Sequence, residues 1–216
     1  MSVINLPIKE VYDIIAPQFN HTRFSVWGKV KSFLDILEPK STVLEIGCGN
    51  GKNMLYRDDL IFTGIDISKT QFEICKRKNL DVHIADMTNL PFDNDTYDYQ
   101  ICIATYHHLD NDKDRKKALE EMYRTLKPGG KVLITVWAME QEEHSRFNFK
   151  SEDELVPWTY KYDGNTYLRY YHIYKKGDLE HEITKLAPEF TIESIDYELG
   201  NWIIVLVKPL PFISKL

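Results

Sequence analysis

The sequence predicts an α/β fold in which a mostly parallel sheet of seven strands carries helices on both faces. Short strand-like apolar runs alternate with segments of helical periodicity, the pattern of βαβ units. The last two apolar runs are close enough in sequence to form an antiparallel hairpin, a common edge of such sheets. The 216 residues are 43% hydrophobic and 28% charged, which is typical of one globular domain over residues 1–216.

Two helices are expected before the sheet, within residues 1–40. Lys9–Ala16 has helical character, and Pro17 is expected to end this helix because proline lacks a backbone donor. The second helix is predicted from apolar residues at helical spacing, namely Val30, Phe33, Leu34 and Leu37.

The sheet and its remaining helices follow in alternation. The predicted strands are Thr42–Ile46, Ile61–Ile65, Val82–Ala85, Tyr97–Ala104, Val132–Trp137, Phe190–Tyr197 and Trp202–Val207. A capping box at Ser68 and Gln71 predicts a helix start. Later helices are indicated by the stripe Leu119, Met122, Tyr123 and Leu126 and by the segment Asp178–Leu186.

Residues 140–176 are the one poorly patterned segment, rich in tyrosine and charged residues. They come after the end of the fifth strand. Loops at the carboxyl edge of a parallel sheet usually contact ligands, so this segment is predicted to be an insertion on the substrate side.

The stretch from Val43 to Gly51 predicts a buried strand that ends in a glycine turn. Its spacing G-x-G-x-G places Lys52 where a dinucleotide fingerprint has its third glycine, and the spacing of a phosphate-binding P-loop also fails. Glu45 would repel a polyphosphate but attract an ammonium group. With Gly47, Gly49 and Gly51, it therefore indicates S-adenosylmethionine (SAM), the methyl donor that becomes S-adenosylhomocysteine.

The ends of the next strands complete the predicted cofactor site. Asp66 ends the second strand, where a carboxylate can accept hydrogen bonds from ribose hydroxyls, and Ile67 adjoins it. The alternative for Asp66 is a helix cap, which Ser68 already provides. Asp86 and Met87 follow the third strand and suit an adenine ring, although a solvated turn explains them equally well. Ile103 would line the other side of the cofactor or belong to the core.

His107 and His108 follow the fourth strand, where many amino-group methyltransferases have an acidic or amide residue before two prolines. That departure argues against methyl transfer to nitrogen. Adjacent histidines in a strand-like segment point in opposite directions, so a metal site is the weaker interpretation and no metal is expected. One histidine is expected to pack in the loop, and the other to hold an oxygen nucleophile or act as a base.

The net charge of −6 does not indicate a nucleic-acid binder, although a local basic face would be enough. The basic clusters are Lys76–Lys78, Arg115–Lys117, Arg124 with Lys127, and Lys175–Lys176. Solvated helix faces are the default explanation of each. Three cysteines without metal or disulfide spacing indicate the cytosol or nucleus, and no apolar stretch is long enough for a membrane span.

Several longer strings together resemble one family, the eukaryotic tRNA wobble-uridine carboxymethyl methyltransferases. They are Ile15–Phe19 with Thr22-Arg23 and Trp27, Gly47–Lys52, Leu90–Phe92, Ile103-Ala104 with His107-His108, Val136–Ala138 with Glu140-Gln141, Pro157-Trp158, Arg169-Tyr170-Tyr171-His172, Gly177–Glu180, and Asn201-Trp202. The glycine turn is generic to SAM enzymes, whereas the His-His and Arg-Tyr-Tyr-His strings are far more specific.

The resemblance implies a seven-stranded, Rossmann-like class I methyltransferase fold. It implies methyl transfer from SAM to the carboxylate of 5-carboxymethyluridine at the tRNA wobble position, with tRNA and a small zinc-binding activator subunit as partners. By the same carry-over, Arg23, His108 and His107 are predicted near the reacting group. The substrate-binding residues predicted with them are Trp137, Arg169, Tyr170, His172 and Asn201.

The chain departs from many relatives in one respect: only Thr159–Leu168 separate Pro157-Trp158 from Arg169, where those relatives have a long polar insertion. RNA contacts made by such an insertion are therefore in doubt. Two other functions remain open, namely O-methylation of a small carboxylate or hydroxyl compound and a non-catalytic RNA-binding scaffold.

Overall fold

The computed structural model describes residues 2–211, which form two sheets and five α-helices. The strands are β1 Val3–Asn5, β2 Thr42–Ile46, β3 Ile61–Asp66, β4 Val82–Ile84, β5 Tyr97–Ile103, β6 Leu126–Trp137, β7 Asp153–Thr159, β8 Thr166–His172, β9 Thr191–Glu198 and β10 Asn201–Val207. The helices are α1 Ile8–Asn20, α2 Gly28–Asp35, α3 Lys69–Arg77, α4 Asp112–Thr125 and α5 Asp178–Leu186.

The larger sheet has seven strands in the order β4-β3-β2-β5-β6-β10-β9. The pairs from β4 to β6 are parallel, whereas β10 runs antiparallel to both β6 and β9. The predicted fold class, including its antiparallel carboxyl-terminal hairpin, is confirmed. The carboxyl ends of β2, β3 and β5 meet at one edge, which places the segments that follow them beside one another.

Helices cover the sheet through the apolar stripes that predicted them. Leu119 and Met122 of α4 are fully buried in the cluster that contains β6 and β10 residues, and Ile183 of α5 joins them. Val30 and Leu34 of α2 belong to a separate cluster with other residues of the same strands. Each fully buried aliphatic side chain stabilises the fold by about 1.5–3 kcal/mol relative to its exposed state.

The expected end of the first helix at Pro17 is wrong, because α1 continues through it to Asn20. Proline costs the helix one backbone hydrogen bond, about 3 kcal/mol in an interior position. Packing on both sides of Pro17 offsets this cost. Val11 and Ile15 are buried before it, and the Phe19 ring contacts Tyr12 and Trp158 after it.

The segment 140–176 has more regular structure than its sequence indicates. β7 and β8 pair as an antiparallel hairpin, and β1 adds in parallel to β8, giving a second sheet in the order β1-β8-β7. Along β8, the buried positions hold Tyr167, Arg169 and Tyr171. A buried arginine interrupts the apolar alternation that would have predicted a strand. The short Thr159–Leu168 stretch includes the turn of this hairpin.

None of the helices formed by residues 2–211 combines the length and apolar character that crossing a bilayer requires.

Candidate functional site

A cavity of about 250 Å³ lies at the carboxyl edge of the larger sheet. Its walls come from the glycine turn after β2, from the residues that follow β3, β4 and β5, and from α1 and β8. Helix α1 is held over this edge by Asp13, whose Oδ1 accepts hydrogen bonds from Ser68 Oγ at 2.7 Å and from Thr70 N at 3.1 Å. The smaller sheet thus contributes to the same site as the larger one.

The three glycines of the turn have positive φ angles, which side-chain-bearing residues rarely adopt, but they face different surroundings. Gly47 and Gly49 line the cavity, whereas Gly51 packs behind it. A Cβ on Gly47 would lie 2.2 Å from Thr105 Cγ2, and one on Gly51 would lie 2.3 Å from Leu80 Cδ1. The predicted contribution of Gly51 to the cofactor site is therefore through the shape of the turn.

Glu45 is buried at the end of β2 and lines the cavity. Its Oε1 accepts a hydrogen bond from Asn53 Nδ2 at 2.6 Å, while its Oε2 has no partner among the described residues. Burial raises the pKa of Glu45 to about 7. A buried carboxylate oxygen without a partner favours a cationic ligand group in the cavity.

Asp66 lies at the end of β3, and both of its oxygens already accept backbone hydrogen bonds. Oδ2 accepts from Gly49 N and Oδ1 from Ser68 N, each at 2.8 Å. The helix cap of α3 is Ser68, whose hydroxyl accepts from Gln71 N at 3.2 Å, so Asp66 is not the cap. Burial raises the pKa of Asp66 to about 6. Each oxygen keeps a lone pair for a ligand hydroxyl, and Ile67 lines the cavity beside it.

Asp86 and Met87, predicted beside the adenine ring, and Ile103, predicted on the other side of the cofactor or in the core, also line the cavity. Asp86 Oδ1 accepts hydrogen bonds from Thr88 N and Thr88 Oγ1, both at 2.8 Å, so this carboxylate shapes its own turn. The turn role and a ligand role coexist here, because the turn uses one of the two carboxylate oxygens.

Gln71 lines the cavity, although its sequence context predicted only a capping box. The side chain does not complete the box: it is buried, and both its amide nitrogen and its amide oxygen lack partners among the described residues. It lines the cavity together with Glu45 and Asp66. These unsatisfied groups on one wall fit a ligand with an ammonium group and several hydroxyls, as SAM has.

His107 and His108 lie on a short 3-10 turn at Tyr106–His108 and not on a strand. The expectation that they point in opposite directions is wrong, because their ring centroids are only 4.8 Å apart. The turn forms directly after Ala104, whose φ of 50° ends the extended strand. Both histidines line the cavity.

The hydrogen bonds of His108 fix its tautomer. Nδ1 lies 2.7 Å from the carbonyl oxygen of Tyr170, so Nδ1 carries the proton, and Nε2 accepts from the Tyr12 hydroxyl at 2.9 Å. Burial lowers the pKa of His108 to about 3. The side chain is therefore neutral at physiological pH, and its acceptor nitrogen is already occupied. This arrangement suits positioning of Tyr12 better than general-base catalysis.

His107 has the opposite tautomer. Its Nδ1 accepts a hydrogen bond from the Trp137 backbone N–H at 3.0 Å, which leaves the proton on Nε2. That nitrogen is buried and lacks a partner among the described residues. Burial lowers the pKa of His107 well below its usual value, so this side chain is also neutral.

Two arginines approach the cavity from different elements. Arg169 of β8 is buried, and its guanidinium donates to the Tyr171 hydroxyl at 2.6 Å. Arg23 follows α1, and within the described part of the chain its guanidinium donates only to Thr22, with weak bonds of 3.3 and 3.4 Å. Both lie over the Trp158 ring, with Cζ 5.0 Å from its centroid for Arg169 and 6.0 Å for Arg23. Neither forms an ion pair with a carboxylate of residues 2–211.

Of the other predicted substrate residues, only Trp137 lines the cavity, where its ring stacks on Tyr171 at 4.1 Å. Tyr170 and His172 point away from it, and the Tyr170 hydroxyl and His172 Nδ1 both bond to Asp153. Asn201 is held in the β9–β10 turn, where its amide donates to the carbonyl oxygens of Glu198 and Leu199. The structure thus gives these three residues places outside the described cavity.

Tyr12 and Tyr171 are cavity residues that the prediction did not include. Tyr171 could have been found, because Arg169 and Tyr171 are two residues apart on a strand and so share a face. Tyr12 carried no such signal, since its position depends on how α1 packs over the sheet.

The comparisons with known proteins agree with this geometry. Residues 44–134 match the family model of the methyltransferase domain. The chain is 32% identical to the tRNA (carboxymethyluridine(34)-5-O)-methyltransferase of Schizosaccharomyces pombe over 222 residues, covering 93% of this chain and 96% of the relative. It is 49% identical to the protein of the same description from Arabidopsis thaliana over 138 residues, covering 64% of this chain and 34% of that protein.

One solved structure with this fold is a putative methyltransferase in complex with the Haloferax volcanii Trm112 methyltransferase activator, with a TM-score of 0.69. It is 18% identical, and the superposition covers 96% of this chain and all of that one. The chain spans only 34% and 40% of the length of the Arabidopsis relative and of the Xenopus tropicalis relative. Over nearly its whole length, the chain belongs to the family of the tRNA (carboxymethyluridine(34)-5-O)-methyltransferases.

Proposed function

We propose that this protein transfers a methyl group from SAM to the carboxylate of 5-carboxymethyluridine at the wobble position of tRNA, forming the methyl ester. One observation carries the substrate assignment. Arg23 and Arg169 both line the cofactor cavity, each guanidinium lies over the Trp158 ring, and neither is neutralised by a carboxylate among the described residues. Two such guanidiniums make a site for an anionic acceptor.

The cofactor side of the cavity is supported by its own residues. Glu45 would receive the ammonium group, and Asp66 the ribose hydroxyls, with Gln71 as a further hydrogen-bonding group. When bound, SAM supplies a methyl group that is activated by its positively charged sulfur.

The acceptor needs positioning more than deprotonation. A carboxylic acid with a pKa of about 4 is already ionised at neutral pH, so no strong base is required. Both histidines are neutral in this cavity, which agrees with that requirement. Arg23 and Arg169 would bind the carboxylate, and the buried Nε2–H of His107 is a further donor near them. Excluding water around the carboxylate would raise its reactivity and fix its direction of attack.

The strength of the ion pair between the arginines and the substrate carboxylate also affects the reactivity of that carboxylate. A carboxylate with both oxygens tightly paired to arginine is a weaker nucleophile. Arg169 donates one N–H to the Tyr171 hydroxyl, its buried Nε–H has no partner among the described residues, and burial lowers the pKa of Arg23. We therefore expect the guanidiniums to hold the oxygen that does not attack, leaving the other oxygen free.

The partner protein is proposed to be a small zinc-binding activator of methyltransferases. The structural neighbour bound to the Trm112 activator supports this, since it shares the fold along nearly its whole length. β4 is the outer strand at one edge of the larger sheet, and Ile84 on it is 48% exposed. A free edge strand can pair with a strand of another chain, so β4 is the proposed docking edge.

The substrate assignment is tested by changing Arg23 to Gln. We expect at least a hundredfold loss of methyl-ester formation on tRNA that carries 5-carboxymethyluridine, because a charge-assisted contact to the reacting group contributes about 3 kcal/mol. SAM affinity, measured by calorimetry, should change little. Lys116→Gln on the outer face of α4 is the matched control.

The same assay separates the proposed substrate from a small carboxylic acid. Free 5-carboxymethyluridine should be a far poorer acceptor than the modified tRNA. Equal turnover of both acceptors, or full activity of the Arg23→Gln variant, would contradict the proposal.

A further inference from the structure

A second, more open cavity of about 560 Å³ adjoins the cofactor cavity. The two share Arg23, Asn50 and Lys52 in their walls, so they lie side by side. The second cavity is formed by the segment after α1, one side of α2 and the residues that follow the glycine turn. We call this second cavity the basic groove.

Four cations line the basic groove, namely Arg23, Lys31, Lys52 and Lys78, and no aspartate or glutamate lines it. Within residues 2–211, none of the four lies within 4.0 Å of a carboxylate oxygen. Two acids lie just outside the groove: Asp35 accepts a hydrogen bond from the Tyr56 hydroxyl at its wall, and the buried Glu45 acts electrostatically on Lys52. In a chain with a net charge of −6, this local excess of positive charge is notable.

The other basic clusters that the sequence contains are largely neutralised. The ion pairs are Arg115 with Asp112 and Glu182, Lys116 with Glu120, Arg124 with Glu121, Lys127 with Asp98, and Lys175 with Glu152. Of the cluster Lys76–Lys78, only Lys78 lines the groove. The lack of ion pairs therefore distinguishes the basic groove from the other basic clusters. The sequence alone did not show which of these clusters is free of ion pairs.

The groove amines are held in place by contacts with the protein. Lys78 Nζ donates to Asn50 O at 2.6 Å, and Lys52 Nζ donates to Ser25 O and Asn53 Oδ1, both at 3.1 Å. Each ammonium keeps a donor for a ligand, because it has three N–H bonds. Lys31 Nζ lies 5.8 Å from the centroid of the Tyr56 ring. Anchored amines lose little conformational entropy when an anion binds.

An aromatic side chain accompanies these charges. Phe24 lines the groove with 77% of its surface exposed, next in sequence to Arg23. An exposed phenylalanine beside lysines is typical of surfaces that bind single-stranded nucleic acid, where bases stack on rings and phosphates contact amines. Loop nucleotides of RNA are unstacked in this way when an enzyme reaches one of their bases.

We propose that the basic groove binds the phosphates of the anticodon-loop nucleotides next to the wobble uridine, and that Phe24 stacks on one of their bases. This inference rests on the proposed function, since it concerns the path of the same RNA. The wobble uridine would enter the cofactor cavity past Arg23, while its neighbours lie along Lys31 and Lys78 outside it.

The test is a binding titration of a fluorescent anticodon stem-loop that contains 5-carboxymethyluridine, at several salt concentrations. Lys31→Gln should weaken binding and reduce the slope of log K against log [salt] by about 0.7–1, the loss of one phosphate contact. Phe24→Ala should weaken binding at least about fivefold without changing the slope, because stacking releases no counterions. Lys116→Gln should leave both affinity and slope unchanged.

The outcomes separate this inference from the proposed function. A wild-type salt slope in Lys31→Gln, or unchanged RNA affinity in Phe24→Ala, would contradict RNA binding in the basic groove. Thermal unfolding confirms that both variants are folded. Inorganic phosphate that displaces the RNA at low millimolar concentration would also overturn it, since the groove would then be a free-anion site. Failure of wild-type enzyme to form the methyl ester would refute the proposed function, whereas the titration reports on RNA binding independently.

Discussion

The buried carboxylate of Glu45 lowers the stability of the free protein and is suited to bind a cationic ligand group. Its carboxylate is buried, one oxygen lacks a partner, and its pKa is raised from 4.5 to about 7 by burial. For an acid with a raised folded-state pKa, the stabilising contribution is complete below the unfolded pKa and is lost as the pH rises through the folded value. The free protein therefore loses stability between about pH 4.5 and pH 7 on account of this group.

The variant Glu45→Gln should consequently be more stable than the wild type at pH 8.5 without cofactor. The rise of this pKa from 4.5 to about 7 corresponds to at most about 3–4 kcal/mol, and the difference in stability should shrink toward pH 5. Urea unfolding at the two pH values measures it, with Glu38→Gln on the surface as the control. The same variant should bind SAM at least tenfold more weakly. A variant that is less stable at pH 8.5, or binds SAM normally, would contradict this role.

His108 is predicted to act by position and not by proton transfer. Its Nδ1–H bond to Tyr170 and its Nε2 acceptor role toward Tyr12 require the neutral ring, and burial lowers its pKa to about 3. Nitrogen-15 NMR of the imidazole should show the Nδ1–H tautomer, unchanged from pH 8 to pH 5.5. The signal is assigned by its absence in His108→Gln. A His108 signal that becomes doubly protonated in this range would restore the general-base interpretation.

The helices and strands that a local sequence pattern defines were predicted, whereas those that depend on packing were not. β2 and α5 were predicted with the bounds that the structure shows, because an apolar run and a helical stripe define them. The β7–β8 hairpin was not predicted, because the buried Arg169 interrupts the apolar alternation of β8. A charged residue is found at this buried position because it lines the cavity.

The residues of the candidate site likewise fall into those that a local sequence pattern predicts and those that depend on packing. Glu45 lies near the end of the first predicted strand and Asp66 directly follows the second, so topology alone brings them together. Tyr12 and Gln71 reach the cavity only because α1 and α3 pack against the sheet edge, which no local pattern records. The 3-10 turn of the histidines depends on the positive φ of Ala104, an uncommon conformation for alanine.

The turn that carries the histidines is joined to two helices through one carboxylate. Glu182 of α5 accepts hydrogen bonds at Oε1 from the hydroxyls of Tyr106 and Tyr174, both at 2.9 Å. Its Oε2 lies 2.8 Å from Arg115 Nε of α4. Since these groups are largely buried, removal of the carboxylate leaves two hydroxyls without their partner and leaves Asp112 as the remaining carboxylate paired with Arg115 among residues 2–211.

Glu182→Ala should therefore lower the free energy of unfolding by about 3 kcal/mol, measured by urea denaturation. Lys116→Ala removes the exposed ion pair with Glu120 from the same helix and should change it by less than about 0.5 kcal/mol. Equal effects of the two substitutions would show that the buried network does not hold the turn in place.

At the scale of the whole molecule, the two edges of the larger sheet differ. β9 is the outer strand at one edge and is eight residues long, whereas β4 at the other edge has only three. The exposed Ile84 on β4 leaves an apolar side chain on this short edge strand. This is why β4 is the proposed docking edge of the activator.

Ile84→Lys should weaken co-purification with the zinc-binding activator, because a charge at a strand-pairing interface is costly to bury. Leu155→Lys on β7 is the matched control, since Leu155 is 47% exposed on the other sheet. Calorimetric titration of the purified chains measures the effect, which we expect to exceed tenfold in affinity. An equal effect of the two substitutions on activator affinity would show that the activator binds to another surface.

The central claim is methyl transfer to an RNA-borne carboxylate, and methyl-labelled SAM tests it most directly. The chain and the activator are incubated with tRNA that carries 5-carboxymethyluridine, and the nucleosides are analysed by mass spectrometry. We expect the label to appear in the methyl ester at the wobble position and to be released as methanol by mild alkali. Label on any other nucleoside, or label that resists alkali, would contradict it.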